Sequence, residues 1–184
     1  NTPEDVRKMK KKELVRLLEL DDFTEIYSEA DRIRERHKGN IVNIRGIIEF
    51  SNICARNCEY CGLNQDNTNV ERYEIPVVEI LQSAESAVAA GYKTIVLQSG
   101  ENPGLEKDTL GEIIKKIKEM GPAVTVSCGE MDYDSLKYLR TCGADRYLLK
   151  HETSDPILYA KLHPGYQLKD RIKCLKHIKE LGYD

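Results

Sequence analysis

Ile41-Val42-Asn43-Ile44-Arg45-Gly46-Ile47-Ile48-Glu49-Phe50 runs directly into Ser51-Asn52-Ile53-Cys54-Ala55-Arg56-Asn57-Cys58-Glu59-Tyr60-Cys61-Gly62. The first ten residues are rich in the branched side chains that suit a pleated strand. The second part is a loop with cysteines at C-x3-C-x2-C and an aromatic residue directly before the third. Three thiolates cannot close a structural zinc site, which needs four protein ligands. They can hold three irons of a four-iron cluster and leave the fourth iron open to an outside ligand, a departure from the usual four-cysteine ligation. The competing reading is zinc, with His37, His151, His163 or another cysteine completing the site. A C-x2-C pair favours zinc, but a second pair at zinc-ribbon spacing is absent.

Downstream of this loop the same unit recurs. Pro76 opens a helix through Ile80, Leu81, Ala84, Ala87 and Val88 that Gly91 closes, and Lys93 to Gln98 is a buried strand. Leu110, Ile113, Ile114, Ile117 and Met120 stripe the next helix, Ala123 to Ser127 is a third strand, and Leu136, Leu139 and Cys142 belong to a third helix. Asp145 to Lys150 is a fourth strand, followed by a helical turn over 156–162 and a helix through Ile172, Leu175, Ile178 and Leu181. Strands alternating with helices predict an α/β fold, a parallel sheet with helices on its outside. Sites in such folds form at the carboxyl ends of the strands, which is where the cysteine loop falls.

Four such units are half of an eight-stranded TIM-type (β/α) barrel, which takes about 250 residues. The last helix stops at Leu181-Gly182-Tyr183-Asp184, where another strand is due. The expectation is therefore the first half of a barrel over 41–184, truncated at its C-terminus and not expected to work alone. A small open sheet that dimerises is the alternative. Residues 1–40 read as a helical lead-in of two helices. Thr2-Pro3-Glu4-Asp5 starts the first, Leu14, Leu17 and Leu18 face it, and Phe23, Ile26, Tyr27, Ala30 and Ile33 stripe the second until Gly39.

Bulk properties exclude several classes. With 40% apolar and 32% charged residues in 184, the chain can bury one sizeable core and is not disordered. A formal net charge of -3 offers no nucleic-acid surface, and the run Lys8 to Lys12 reads as a solvated helix face. No apolar run approaches the about 18 residues that span a bilayer. Six cysteines without a secretory signal read as reduced thiols in a cytoplasmic protein. Of these, Cys128, Cys142 and Cys174 stand singly and read as packing.

Cys54-x3-Cys58-x-Tyr60-Cys61 resembles the signature of the radical S-adenosylmethionine enzymes. Arg45-Gly46-Ile47-Ile48-Glu49-Phe50-Ser51-Asn52, Asn57-Cys58-Glu59-Tyr60-Cys61-Gly62-Leu63, Gln98-Ser99-Gly100-Glu101 and Asp145-Arg146-Tyr147-Leu148-Leu149-Lys150-His151-Glu152-Thr153 resemble, more narrowly, the HydE-type maturases of FeFe-hydrogenase. The resemblance implies a 4Fe-4S cluster on Cys54, Cys58 and Cys61, whose open iron takes the amino and carboxylate groups of S-adenosylmethionine. One electron from the reduced cluster, delivered by a donor such as ferredoxin or flavodoxin, breaks a carbon–sulfur bond and yields a 5'-deoxyadenosyl radical. The implied substrate is a small-molecule iron carbonyl cyanide complex of cysteine supplied by another hydrogenase maturase. Methylornithine synthase and biotin synthase share the cluster and are the nearest enzyme alternatives.

The same resemblance assigns further residues. Glu101 meets the methionine amino group, with Gln98 and Ser99 bonding to ligand or substrate; by its residues alone Glu101 could equally cap the next helix. Glu152 binds S-adenosylmethionine, and Arg171 pairs with its carboxylate through a bidentate guanidinium fork; by its residues alone Arg171 reads as a solvated helix charge. His151 reads as a structural histidine. Arg146 and Lys150, four apart on one strand, form an anion-binding wall for a carboxylate-bearing substrate, with Thr125 on the third strand facing the same cavity. Arginine is expected at position 150, and lysine there keeps the charge while losing the planar fork.

Overall fold

Alternation along Gly46–Ser51 settles where the first strand begins. Ile48 and Phe50 are buried while Ile47 and Glu49 are exposed, and the hydrogen-bonded strand β1 covers Gly46–Ser51 only. Residues 41–45, read above as part of this strand, lie outside it with exposed side chains, because no neighbouring strand pairs with them. The computed structural model describes residues 9–184, so the expected helix start at Thr2-Pro3-Glu4-Asp5, and Lys8, lie outside the described residues. The chain divides into two compact units, 1–43 and 44–184.

In the first unit, α1 (Lys11–Leu18) opens with Glu13 reaching back to accept from Lys10 N at 2.7 Å. Helix α2 (Thr24–Lys38) follows Asp22, whose carboxylate accepts from Thr24 N at 2.8 Å, and Gly39 ends it. Neither helix contains a buried residue. The second unit is built from α3 (Val77–Ala89), β2 (Thr94–Ser99), α4 (Lys107–Glu119), β3 (Ala123–Ser127), α5 (Tyr133–Thr141), β4 (Arg146–Tyr147), α6 (Pro156–Leu162) and α7 (Leu168–Glu180). Among the described residues no helix is long and apolar enough to cross a membrane.

The four strands pair in parallel in the order β1-β2-β3-β4. A doubly wound sheet reverses its order at a switch point, whereas strands added in sequence order wind in one direction, as in a barrel. Register explains how one face becomes the core. Ile48, Leu97, Val126 and Tyr147 are register partners across the sheet, and with Ile95 and Val124 they pack against Ile80, Leu110, Ile114, Ile117, Leu136, Leu139 and Ile178 of the helices. Each such side chain contributes about 1.5–3 kcal/mol when fully buried. Cys128, Cys142 and Cys174 join this cluster, as packing residues should.

Two further expectations are corrected here. The fourth strand spans Arg146–Tyr147 and not Asp145 to Lys150, so Lys150 is not on a strand with Arg146 and its side chain is exposed. The inner stripe of α7 is Leu168, Arg171, Cys174 and Ile178, with Leu175 and Leu181 packed beside it. That stripe places Arg171 on the buried face, so it is not a solvated charge.

Candidate active site

The cysteine loop hangs from the carboxyl end of β1 and is stitched to the ends of neighbouring elements. Ala55 N donates to Glu101 O at 2.9 Å, and Gly100 N donates to Ser51 O at 3.2 Å, which binds the loop to the end of β2. The approach is so close that a Cβ on Gly100 would meet Ile53 O and lie 2.7 Å from Cys54 Cβ. Glu59 N donates to Leu162 O at 3.0 Å, tying the loop to the end of α6. Asp155 caps that helix by accepting from Ile157 N at 2.8 Å, with Pro156 at the first turn.

Cys54, Cys58 and Cys61 are free and half-buried. Burial, then the nearness of Cys61 and Cys54, pushes the Cys58 thiol up, against a pull downward from Arg56 and Arg171. Three soft thiols on one loop at a partly open surface suit a polynuclear cluster that binds them as thiolates. Among the described residues no three His, Cys, Asp or Glu side chains converge where a single ion could sit. Three cysteine thiols in one loop, all free and half-buried, are a donor set that fits three irons of a 4Fe-4S cluster.

Beside the loop lies a buried ionic network that the sequence reading did not assemble. Arg56, between the first two cysteines, donates from Nε to Glu101 Oε1 at 2.6 Å. Its Nη2 lies 2.5 Å from Glu101 Oε1 and 3.0 Å from Glu130 Oε2. Its guanidinium also covers the Tyr166 ring at 3.5 Å. Arg171 Nε donates to Glu130 Oε1 at 2.6 Å, and its Nη1 donates to Lys150 O at 2.8 Å. Burial lowers the pKa of each arginine, but the paired carboxylates outweigh it and hold both firmly charged. Glu101 accepts from Glu130 N at 2.9 Å and is not a helix cap, since Glu106 occupies that position on α4. Gly129, at φ +81°, makes room for it: a Cβ there would lie 2.7 Å from Glu101 Cγ.

The remaining expected residues divide into those that join this region and those that do not. Gln98 is half-buried on β2, on the sheet face turned away from the core helices, as are Thr125 and Arg146. Ser99 spends its hydroxyl on Gly100 O at 2.7 Å. Thr125 and Arg146 are register partners, and Thr125 Oγ1 and Arg146 Nη1 are both buried without a hydrogen-bond partner. Lys150 offers the network only its backbone carbonyl. Glu152 is exposed, in the left-handed region at φ +67°, and its carboxylate is near enough to Tyr60 to help burial push that phenol up. His151 is exposed and is not a structural histidine.

That structural place belongs to His163, which is 1% exposed. Its Nδ1 lies 3.1 Å from Cys58 Sγ and its Nε2 3.3 Å from the Tyr60 hydroxyl. Burial, then Arg171, keeps its pKa below the ordinary value. A signal for Glu130 was present in the chain: Ser99-Gly100-Glu101 after β2 is echoed by Cys128-Gly129-Glu130 after β3. Arg56 and His163 carried no comparable signal, because their partners are 45 and 105 residues away.

A family model described as the radical SAM superfamily matches residues 48–184. The chain belongs to the radical SAM superfamily. Its cofactors are a 4Fe-4S cluster and S-adenosylmethionine. This radical SAM chain is 49% identical, over 159 residues, to the [FeFe] hydrogenase maturase subunit HydE of Thermotoga maritima, covering 86% of this chain and 46% of that protein. It is 32% identical to 3-methylornithine synthase of Methanosarcina acetivorans, over 89% of this chain and 47% of that protein. The crystal structure of methylornithine synthase (PylB) superposes with a TM-score of 0.87 at 30% identity, over 95% of this chain and 53% of that one. The crystal structure of HydG, a maturase of the [FeFe]-hydrogenase, superposes with a TM-score of 0.82 at 25% identity, over 91% and 40%. The chain thus spans about half the length of the curated relatives it matches, and the fold is that of radical SAM barrels over their shared part.

Proposed function

We propose that this protein is a HydE-type radical SAM enzyme acting in assembly of the FeFe-hydrogenase active site, with Cys54, Cys58 and Cys61 as cluster ligands. The observation that carries the reading is the loop of three free, half-buried thiols beside the Glu101–Arg56–Glu130–Arg171 network. The high identity to a HydE subunit favours this subfamily over methylornithine and biotin synthases. When bound, the reduced cluster supplies the electron that splits S-adenosylmethionine into methionine and a 5'-deoxyadenosyl radical.

The chain's own residues bind and orient. Arg171 receives the methionine carboxylate and Glu101 the amino group, exchanging part of their present pairing with Glu130 and Arg56 for the ligand. Glu152 and Gln98 contact the nucleoside or substrate, and Ser99 holds the loop between them. Thr125 Oγ1 and Arg146 Nη1, both short of partners, suit an anionic substrate, with Lys150 adding an exposed positive charge beyond the strand. That substrate class is a small iron carbonyl cyanide complex of cysteine, delivered by another maturase, with ferredoxin or flavodoxin as electron donor in the cytoplasm.

The test is anaerobic reconstitution of the protein within a full-length barrel, followed by assay with dithionite and S-adenosylmethionine. The expected result is brown protein with about four irons per chain, forming 5'-deoxyadenosine. Colourless protein with one zinc sinks the enzyme reading. The close backbone match to methylornithine synthase favours a second reading, a carbon-skeleton rearrangement that forms methylornithine. Turnover of lysine to methylornithine would select it.

A further inference from the structure

Nothing in the reading above uses His163, although both of its ring nitrogens are engaged. Nδ1 faces Cys58 Sγ at 3.1 Å and Nε2 faces the Tyr60 hydroxyl at 3.3 Å. The ring cannot turn away. It is stacked on Tyr159 with centroids 4.4 Å apart and met edge-on by Tyr60 at 5.4 Å. Tyr159 and His163 are one helical turn apart, and His163 N donates to Tyr159 O at 2.8 Å, so α6 presents the imidazole as a rigid piece. Pro164 follows and ends the helix there. The bond from Glu59 N to Leu162 O locks the cysteine loop against the same helix end.

The chemistry of the partner decides which nitrogen carries the proton. An iron-bound thiolate has no proton to give, so the Cys58–His163 contact needs the proton on Nδ1. Nε2 is then the acceptor, and the Tyr60 O–H donates to it. One tautomer satisfies both contacts when the Tyr60 O–H turns to Nε2 and not to the Glu152 carboxylate, its other hydrogen-bond acceptor.

A donor aimed at a cluster sulfur has a definite electrical consequence. Reduction adds negative charge, part of which resides on the thiolates. An N–H dipole pointing at sulfur stabilises the reduced state more than the oxidised one and raises the reduction potential. We propose that His163 is a positioning residue that raises the potential of the cluster through Cys58, with Tyr60 holding its tautomer. This rests on the reading of Cys54, Cys58 and Cys61 as cluster ligands. No electron passes through the imidazole; the cluster still takes one electron from its external donor, and only the ease of that step changes.

The experiment compares the anaerobically reconstituted protein with His163→Phe, His163→Asn and Tyr60→Phe by iron content and by redox titration followed by electron paramagnetic resonance. Phenylalanine keeps the stack on Tyr159 without a donor, and asparagine restores an N–H. The expected result is unchanged iron, a more negative midpoint for His163→Phe, recovery of most of that shift in His163→Asn, and a smaller negative shift for Tyr60→Phe. Equal midpoints in all four proteins overturn the proposal while leaving the cluster reading intact. Loss of iron in His163→Phe and His163→Asn alike makes the histidine a ligand and also overturns it. Where His163→Phe does not fold, the Tyr60→Phe shift decides: none refutes the tautomer lock and the tuning with it. A parent protein that takes up no iron fails at the cluster reading instead.

Discussion

On the helix side of the sheet, Ile48, Leu97, Val126 and Tyr147 form one register row, and every member is buried among aliphatic side chains. One residue away along each strand, Ile47, Val96, Thr125 and Arg146 form the next row on the opposite face. That row passes from apolar to polar, and it contains Thr125 Oγ1 and Arg146 Nη1, buried without partners. Beyond the strand ends the contrast grows, with two buried arginines and two carboxylates where the core has none. Apolar packing is non-directional, so many sequences satisfy the first row. A buried ion pair is directional and costly when broken, so the second region tolerates few alternatives.

This contrast can be attacked from either side. The largest effect on activity with the least on stability is expected for Cys54→Ser, which should abolish 5'-deoxyadenosine formation while the thermal midpoint of the protein as purified without iron stays put. A large fall in that midpoint would show that the cysteine loop supports the core after all. Glu130→Gln takes from buried Arg171 its carboxylate partner and leaves Arg56 with Glu101 alone; it should destabilise by about 3 kcal/mol, raising the S-adenosylmethionine concentration needed for half-maximal turnover. Urea unfolding beside a substrate titration would read both; an unaltered titration would confine Glu130 to a structural role.

Leu97→Ala opens a cavity under the sheet and should cost about 2–4 kcal/mol, with iron uptake unchanged at temperatures where the variant is folded. Loss of iron uptake in a folded variant would join the two faces that the geometry keeps apart. The smallest effect belongs to Asp145. Burial raises its pKa, but Lys118 and the Val124 N–H outweigh that, and the carboxyl ends below its ordinary value. A depressed folded pKa contributes stability that is present above the unfolded pKa and lost as pH falls through the folded one. Asp145→Asn should therefore cost about 1 kcal/mol near neutrality and flatten the acid limb of a stability-versus-pH curve. Parallel curves for parent and variant would remove Asp145 from the account.

The helices were legible because their signals are local. The stripe Leu110, Ile113, Ile114 and Ile117 is buried as its spacing predicts, and Ala123–Ser127 is a strand with the bounds read from the chain. Strand ends were less legible, since a strand lasts only as long as a neighbour pairs with it. That is why β1 loses residues 41–45 and β4 shrinks to Arg146–Tyr147. Arg171 was misread as solvated on residue type alone, although its place three before Cys174 and seven before Ile178 puts it on the inner stripe.

By itself the sequence determined the cysteine spacing, the alternation of strand and helix, and the glycines at 100 and 129 that let two loops close on Cys54 and Glu101. These are properties of short windows, where residue type and spacing act directly on the backbone. Tertiary structure decided which charges meet. Arg56 finds Glu101 and Glu130, and His163 turns Nδ1 to Cys58, only because parallel strands bring every carboxyl end to the same side of the sheet. Coulomb and hydrogen-bond energies depend on distance in space, and nothing in the linear order of residues encodes that distance until the sheet has formed.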